Sequence, residues 1–424
     1  MPSYEDYWTT DNILEIPGLR SIMTRNRFEL ILTYLHLNNN ANCLPSDNPA
    51  YDRLYKIRPL LTHLNTTWKT AFHPNCEVSV DESVVAFKGR TNMSVYKPNK
   101  PHKWGLNAWA LSDSRSGYMW NIEMYTGRKA EVEAGMTKKV VLGLCQPLYN
   151  TGHHVYMDNY FSSPSLFVDL KTNQLGACGT LRTNRIGVPE KIKKTKLKKE
   201  GPAVMERDGD GLLYICWFDK KQVNLISSIH NTMMFRKTVR TKSTTSHHRE
   251  VDKPAAIQLY SQYMQGVDRS DQLLWYNLSR HRQQKWWKKL FVYLLEVCVI
   301  NAGITYRQLH PALKFDPTKF RMSVVRGLLA DYERPVTRVG RKMSQPPPGR
   351  LTERHFLTNV TITTSSGNPY RPDCEVCSDR SVKRHQTQTT CKQCKLPMCT
   401  VPCFERYHTL LHFKAKCTAE YHKQ

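Results

Sequence analysis

Acidic side chains are scarce in this 424-residue chain: 36 Asp and Glu face 62 Lys and Arg, a formal charge of +26. Solubility needs far less net charge, so the natural counterpart is a polyanion, nucleic acid first and an acidic membrane surface second. Cysteine is thin over most of the length. Six of the 13 cysteines are scattered between Cys43 and Cys298, which argues against a disulfide framework and for a reducing compartment. Long apolar runs are also missing. The most apolar stretch, residues 290–306, is interrupted by Glu296 and Asn301 and reads as a helix buried on most of its faces in a soluble protein, with no membrane partner. Neither a signal peptide nor an internal repeat is visible. The 40% apolar and 10% aromatic content marks a globular chain, long enough for two or three domains.

What is present falls into blocks. The first 75 or so residues read as helical; in "MTRNRFELILTYLHL" the residues Phe28, Ile31, Leu32 and Leu35 recur at helical spacing behind a Thr24 cap. From Glu77 the period becomes two, through Val78 and Val80, then Leu106, Ala108 and Ala110, then Tyr118, Trp120, Ile122 and Met124. "SDSRSG" at 112–117 joins the last two runs as an antiparallel hairpin. A helix follows at 130–148, then a short strand ending at Asp158, then a helix capped by Ser163 and opened by Pro164. The order is β-β-β-α-β-α. A lysine run at 191–199, two apolar strands and a polar loop to Glu250 read as an insertion. Helical character resumes over 256–278 and 290–306, and a Pro/Ser-rich linker from about Arg341 to Pro372 leads to a Cys-rich tail.

In a chain so short of acid, the positions of its carboxylates are informative. "VSVDESVVAFKGR", residues 78–90, places Asp81 and Glu82 inside an alternating run, Asp158 closes another, and Asp268 and Asp271 share one helix face at i and i+3. In this element order the first and fourth strands are commonly neighbours, which brings Asp81 and Asp158 together, with the later helix supplying a third acid. Three converging acids repel one another unless cations lie between them. Hard oxygen ligands with open positions suit Mg²⁺, and two such ions can serve phosphodiester cleavage. Helix caps and surface acids are the competing explanation for any such triple.

The tail reads Cys374-x2-Cys377, Cys391-x2-Cys394, Cys399, Cys403, His408 and His412. In a segment with no core of its own, this spacing signals zinc. Eight ligands on two ions fit a RING- or PHD-like cross-brace, with Cys374, Cys377, Cys399 and Cys403 on one and Cys391, Cys394, His408 and His412 on the other; Cys417 competes with His412.

"VSVDESVVAFKGR", "YKPNKPHKWG", "VYMDNYFSS", "QGVDRSDQL" and "KWWKKLF" stand in the order and at the spacing of the piggyBac family of DNA transposases, which the chain resembles over essentially its whole length. "YWTTDNILEIPGLRSIMTRNRFELILTYLHL" and "CFERYH" resemble the same family. The resemblance implies an α/β fold with an RNase H-like catalytic core, a D-D-D triad of Asp81, Asp158 and Asp268 on two Mg²⁺, and Asp271 beside them. It also implies hairpin-forming excision at TTAA sites with strand transfer into a new TTAA. Glu82 is expected to support Asp81 rather than ligate. The implied layout is helical dimerisation and DNA-binding parts at 1–76 and 277–340, catalytic core at 77–182 and 256–276, insertion domain at 183–255, linker at 341–372, and a zinc domain at 373–417 that reads transposon ends. It supports the first seven zinc ligands. Two departures stand out: Gln265 precedes Gly266 where the family often has glycine and a nearby lysine, and the acidic N-terminal region common in the family is missing.

Basic and aromatic residues then read as DNA contacts: Lys88 and Arg90 after the first acid, Lys97, Lys100 and Lys103 in the stiff "YKPNKPHKWG", and Arg280, Arg282, Lys285 and Trp286 in "RHRQQKWWKK". A solvated hairpin loop or a buried helix start would use the same residues. The expectation is a Mg²⁺-dependent transposase with nuclease and strand-transfer activity, nuclear and homodimeric, bound to transposon ends and TTAA target DNA. A domesticated derivative that binds DNA without cutting is the first alternative, and a RING-like interaction module the second.

Overall fold

The computed structural model describes residues 5–11, 16–98, 103–127, 135–199, 201–240, 248–277, 283–330, 332, 349–351 and 354–414. They fall into two compact units, Met1–Glu333 and Arg334–Gln424.

The first unit enters through α1 (Pro17–Ile22), α2 (Arg25–Tyr34) and α3 (Arg58–Ala71). Thr24 caps α2 by accepting a hydrogen bond from the Arg27 N–H. The apolar stripe of α2 stays open, however: no residue of the helix is buried, and Ile31 is 45% exposed. In contrast, α3 buries Leu61, Leu64 and Trp68 at helical spacing.

A long sheet follows, built from β1 (Glu77–Ala86), β2 (Ser94–Tyr96), β3 (Trp104–Asp113), β4 (Met119–Met124), β5 (His154–Met157) and β6 (Gly176–Thr180), with α4 (Met136–Cys145) and α5 (Pro164–Thr172) between strands. β1 runs antiparallel to β3, Val78 opposite Asp113, and parallel to β5, Val80 opposite Met157. β2 and β4 share the outer edge of β3, and β6 lies parallel to β5. The hairpin at 112–117 turns on the buried Asp113. Its Oδ1 accepts from the Asn75 backbone and side chain, and its Oδ2 from the Ser116 N–H and hydroxyl, while Gly117 takes φ +78°. Ser163 caps α5 through the Leu166 N–H, with Pro164 in the first turn.

Beyond α6 (Glu190–Lys194), the inserted strands β7 (Val204–Arg207), β8 (Leu213–Phe218) and β9 (Gln222–Ser227) extend this sheet, β9 pairing with β6. The polar stretch read as a loop instead forms a two-stranded ribbon, β10 (Met234–Arg240) against β11 (His248–Pro254). Its side chains are exposed from Asn231 through Thr238, so neither face carries the apolar alternation that marks a half-buried strand.

The helix expected over 256–278 breaks in two, α7 (Ala255–Tyr263) and α8 (Gly266–Asn277), followed by α9 (Trp286–Leu309) and α10 (Pro317–Leu329). Glycine at the break lets α8 approach the sheet closely. α9 is longer than the apolar run suggested, 24 residues, and is long and apolar enough to cross a membrane by length and composition alone. The expected burial on most faces is not what forms. The helix buries a stripe through Trp287, Leu290, Leu294, Val297 and Asn301 and leaves Leu295 and Leu309 exposed, because it packs with one side.

The outer edge of β4 is closed by two asparagines rather than by another strand. Asn301 of α9 donates to the Met119 carbonyl (2.8 Å) and accepts from its N–H (3.0 Å), and Asn65 of α3 does the same for Ile122. Each amide thus mimics a ladder partner. Asn301→Ala, which leaves both Met119 groups buried without that partner, is expected to cost about 2–3 kcal/mol, read as a lower urea midpoint of the first unit.

The second unit contains β12 (Leu357–Asn359) paired with β13 (Thr389–Cys391), and α11 (Cys403–Thr409). Residues 349–359, assigned to the linker by composition, are part of this unit.

Candidate active site and metal centre

In β1 the alternation of the strand puts Ser79, Asp81 and Ser83 on one face, and helix α8 docks on it. The Ser79 hydroxyl accepts a hydrogen bond from the Val267 N–H (3.2 Å), and the Ser83 hydroxyl donates to Asp271 Oδ1 (2.6 Å). Asp81 lies between the two serines and Asp268 between their partners. The close approach requires glycine: a Cβ on Gly266 would fall 2.4 Å from Ser79 Oγ and 3.0 Å from the Ser114 Cα. Gly266→Ala is therefore expected to push α8 off the strand, destabilising the first unit by about 1–3 kcal/mol and separating Asp268 from Asp81. Thermal melting reads the first effect and DNA cleavage the second.

Asp158 follows β5, whose register with β1 sets Met157 beside Val80 and hence Asp158 just beyond the end of the β1–β5 pairing, next after which Asp81 stands in β1. Its Oδ1 accepts from the Tyr160 N–H at 2.9 Å. Burial pushes the Asp158 carboxyl above its ordinary value; the Tyr160 hydrogen bond opposes this, the charge of Glu82 adds to it, and Arg182 opposes it. The Tyr260 hydroxyl of α7 is pushed up by burial, with the charges of Asp158 and Asp81 contributing, so it lies within electrostatic reach of both acids. Asp81 Oδ1 accepts from the Glu82 N–H, 2.7 Å away. Among the described residues, sets of three or more metal-capable side chains with ligand atoms within 4.8 Å of one another occur in the second unit alone; the aspartates are more widely spaced.

Of the expected DNA contacts, Lys88, Arg90, Lys103 and Lys285 are exposed. Lys97 is engaged elsewhere: its Nζ pairs with Glu82 Oε2 at 2.5 Å. Trp286 is half-buried and packs against the core, beside the buried Trp287. Lys100, Arg280 and Arg282 lie outside the described residues.

In the second unit two sets converge. Cys374, Cys377, Cys399 and Cys403 form one, and His355, Cys391, Cys394 and His408 the other. His412, expected in the second set, is exposed and outside both, and Cys417 lies beyond the described residues. The reason for the exchange is a hydrogen-bonded strap. Arg350 donates to the carbonyls of Tyr407, Leu410 and Leu411 at the end of α11 and stacks its guanidinium 4.8 Å from the Tyr407 ring centre, which holds His355 against His408. No sequence rule pointed to His355, which precedes Cys374 by 19 residues in the stretch that composition assigned to the linker.

The spacings suit zinc. Tetrahedral Zn²⁺ with Zn–S of about 2.3 Å and Zn–N of about 2.0–2.1 Å sets S···S edges near 3.8 Å and S···N edges near 3.5 Å. Cys377 and Cys399 Sγ are 3.8 Å apart, His355 Nδ1 is 3.5 Å from both Cys391 and Cys394 Sγ, and His408 Nε2 is 3.6 Å from Cys394 Sγ. The far nitrogen of each ring faces a carbonyl, His355 Nε2 that of Gly349 and His408 Nδ1 that of Phe404. Those bonds leave the inner nitrogens unprotonated toward the sulfurs. Hydrogen bonds from the Cys403 thiol and backbone N–H groups push the Cys374 thiol down, toward thiolate. No disulfide links the described cysteines.

A transposase family model described as Transposase IS4 matches residues 1–303. The chain belongs to the piggyBac-type transposase family. It is 26% identical over 420 residues to human PiggyBac transposable element-derived protein 3, covering 96% of this chain and 67% of that protein. It is 25% identical over 318 residues to human PiggyBac transposable element-derived protein 2, covering 72% of this chain and 52% of that protein. A human chimeric ERCC6-PGBD3 protein matches at 26%, with 38% of its length covered, so the chain spans only part of its curated relatives. The cryo-EM structure of the piggyBac transposase synaptic complex with hairpin DNA superposes with a TM-score of 0.65 at 21% identity, covering 94% of this chain and 82% of that one. The two share a fold, mixed α/β.

Proposed function

We propose that this transposase binds DNA and cuts and rejoins phosphodiester bonds at element ends and TTAA targets, with Asp81, Asp158 and Asp268 holding two Mg²⁺ ions and Asp271 beside them. The observation that carries this reading is the docking of α8 on β1, where Ser79 and Ser83, on either side of Asp81, bond to Val267 and Asp271, on either side of Asp268, in a chain of charge +26. The strand order β4-β3-β1-β5-β6, antiparallel and then parallel, supports reading this unit as an RNase H-like core. The relative in the hairpin-DNA complex supports DNA as the partner.

Bound Mg²⁺ supplies charge neutralisation at the attacking and leaving oxygens. The residues do the rest. Asp158 is oriented by the Tyr160 N–H, Asp81 by the Glu82 N–H, and Lys97 neutralises Glu82 so that this further carboxylate does not repel DNA. The exposed Lys88, Arg90, Lys103 and Lys285 meet phosphates. His355, Cys391, Cys394 and His408 hold one structural Zn²⁺, and Cys374, Cys377, Cys399 and Cys403 a second, in a domain that contacts transposon ends. The protein acts as a homodimer in the nucleus.

The test is incubation of the purified chain with a TTAA-flanked DNA end, with and without Mg²⁺. Metal-dependent nicking is the expected result. Metal-independent binding with no cleavage under any divalent ion overturns the enzymatic reading and leaves a DNA-binding derivative.

A further inference from the structure

We propose that Ser83 and Tyr293 are positioning residues that orient the Asp271 carboxylate toward the metal site through a buried chain of hydroxyls. The proposal rests on the carboxylate reading above and deepens it by naming what sets the geometry of its fourth acid.

Ser83 is 1% exposed and Tyr293 3% exposed. Ser83 donates its one hydroxyl proton to Asp271 Oδ1 across 2.6 Å, within the short range of a charge-assisted bond. With that proton committed, the 3.1 Å contact between Ser83 Oγ and the Tyr293 hydroxyl runs the other way, tyrosine donating to serine. That hydroxyl also lies 4.0 Å from the Met119 sulfur, a far weaker acceptor than the serine oxygen. The direction is therefore Tyr293 to Ser83 to Asp271, and three elements distant in sequence, α9, β1 and α8, converge on one carboxylate.

This is the arrangement of outer partners that hold metal-ligating carboxylates elsewhere, where loss of the partner weakens metal binding without removing a ligand. Packing alone would not need it: a valine at position 83 and phenylalanine at 293 would fill the same space. Together with Ser79 on the Val267 N–H, the two serines flanking Asp81 pin α8 on either side of Asp268. Ser79 fixes where the helix starts, and Ser83 with Tyr293 fixes where its second acid points.

The experiment uses the whole zinc-loaded chain and Mn²⁺ alone as probe, with bound ion followed by electron paramagnetic resonance and folding by melting temperature. Ser83→Ala is expected to weaken Mn²⁺ binding by about tenfold and Tyr293→Phe by about threefold, with Ser83→Thr restoring wild-type affinity. The Mg²⁺ concentration needed for half-maximal DNA cleavage should rise in the same order, while DNA binding is unchanged. Wild-type Mn²⁺ affinity in folded Ser83→Ala and Tyr293→Phe overturns the proposal. A wild-type chain whose Mn²⁺ binding is unaffected by Asp81→Asn overturns the metal site and the positioning role with it; loss in Asp81→Asn with none in the hydroxyl variants overturns the positioning role alone.

Discussion

Asp268→Asn and Asp81→Asn should each reduce cleavage of a TTAA-flanked DNA end by about 10³-fold or more, while leaving DNA affinity and melting temperature near wild type. Asparagine keeps the shape of the side chain but removes the charge, and a hard divalent cation bound by few carboxylates loses several kcal/mol with one of them. At 1.36 kcal/mol per tenfold, that is about three orders of magnitude. Asp268 is exposed at the start of α8 and takes no part in the core, so its loss does not unfold the helix. Glu82→Gln is the informative contrast. Glu82 is paired with Lys97, so the loss should be small, and cleavage falling as far as in Asp81→Asn would make Glu82 a ligand.

Removal of zinc should unfold the second unit. Its buried core is small, Val376, Met398 and Tyr407 around the cysteines themselves, and cannot stabilise it without ions. Mass spectrometry of the native chain is expected to count two zinc ions, His355→Ala one and His412→Ala two. A chelator such as 1,10-phenanthroline should abolish the cooperative melting of this unit and leave that of the first in place. Two ions retained in His355→Ala, or one in His412→Ala, would restore the arrangement expected from spacing.

Much of this architecture was legible because it depends on near neighbours. The caps at Thr24 and Ser163 and the hairpin around Asp113 each follow from a few consecutive residues with a fixed geometric preference. The ribbon at Met234–Arg240 and His248–Pro254 was missed for the converse reason: its first strand is exposed from Met234 through Thr238, so hydrogen bonding rather than burial makes it a strand. His355 was missed because its ligand role depends on Arg350 reaching the end of α11 some 60 residues later, a contact with no periodic signature.

From its sequence alone this protein declared its basic character, the order of its acids along β1, β5 and α8, the pairing of cysteines at C-x2-C spacing, and its family. Each is a property of residue type and short separation. Tertiary structure alone decided the seating of α8 against Ser79 and Ser83, the diversion of Lys97 to Glu82, and the choice of His355 over His412. Those choices are made between groups tens to hundreds of residues apart, where only the packing of the whole chain determines which donor reaches which acceptor.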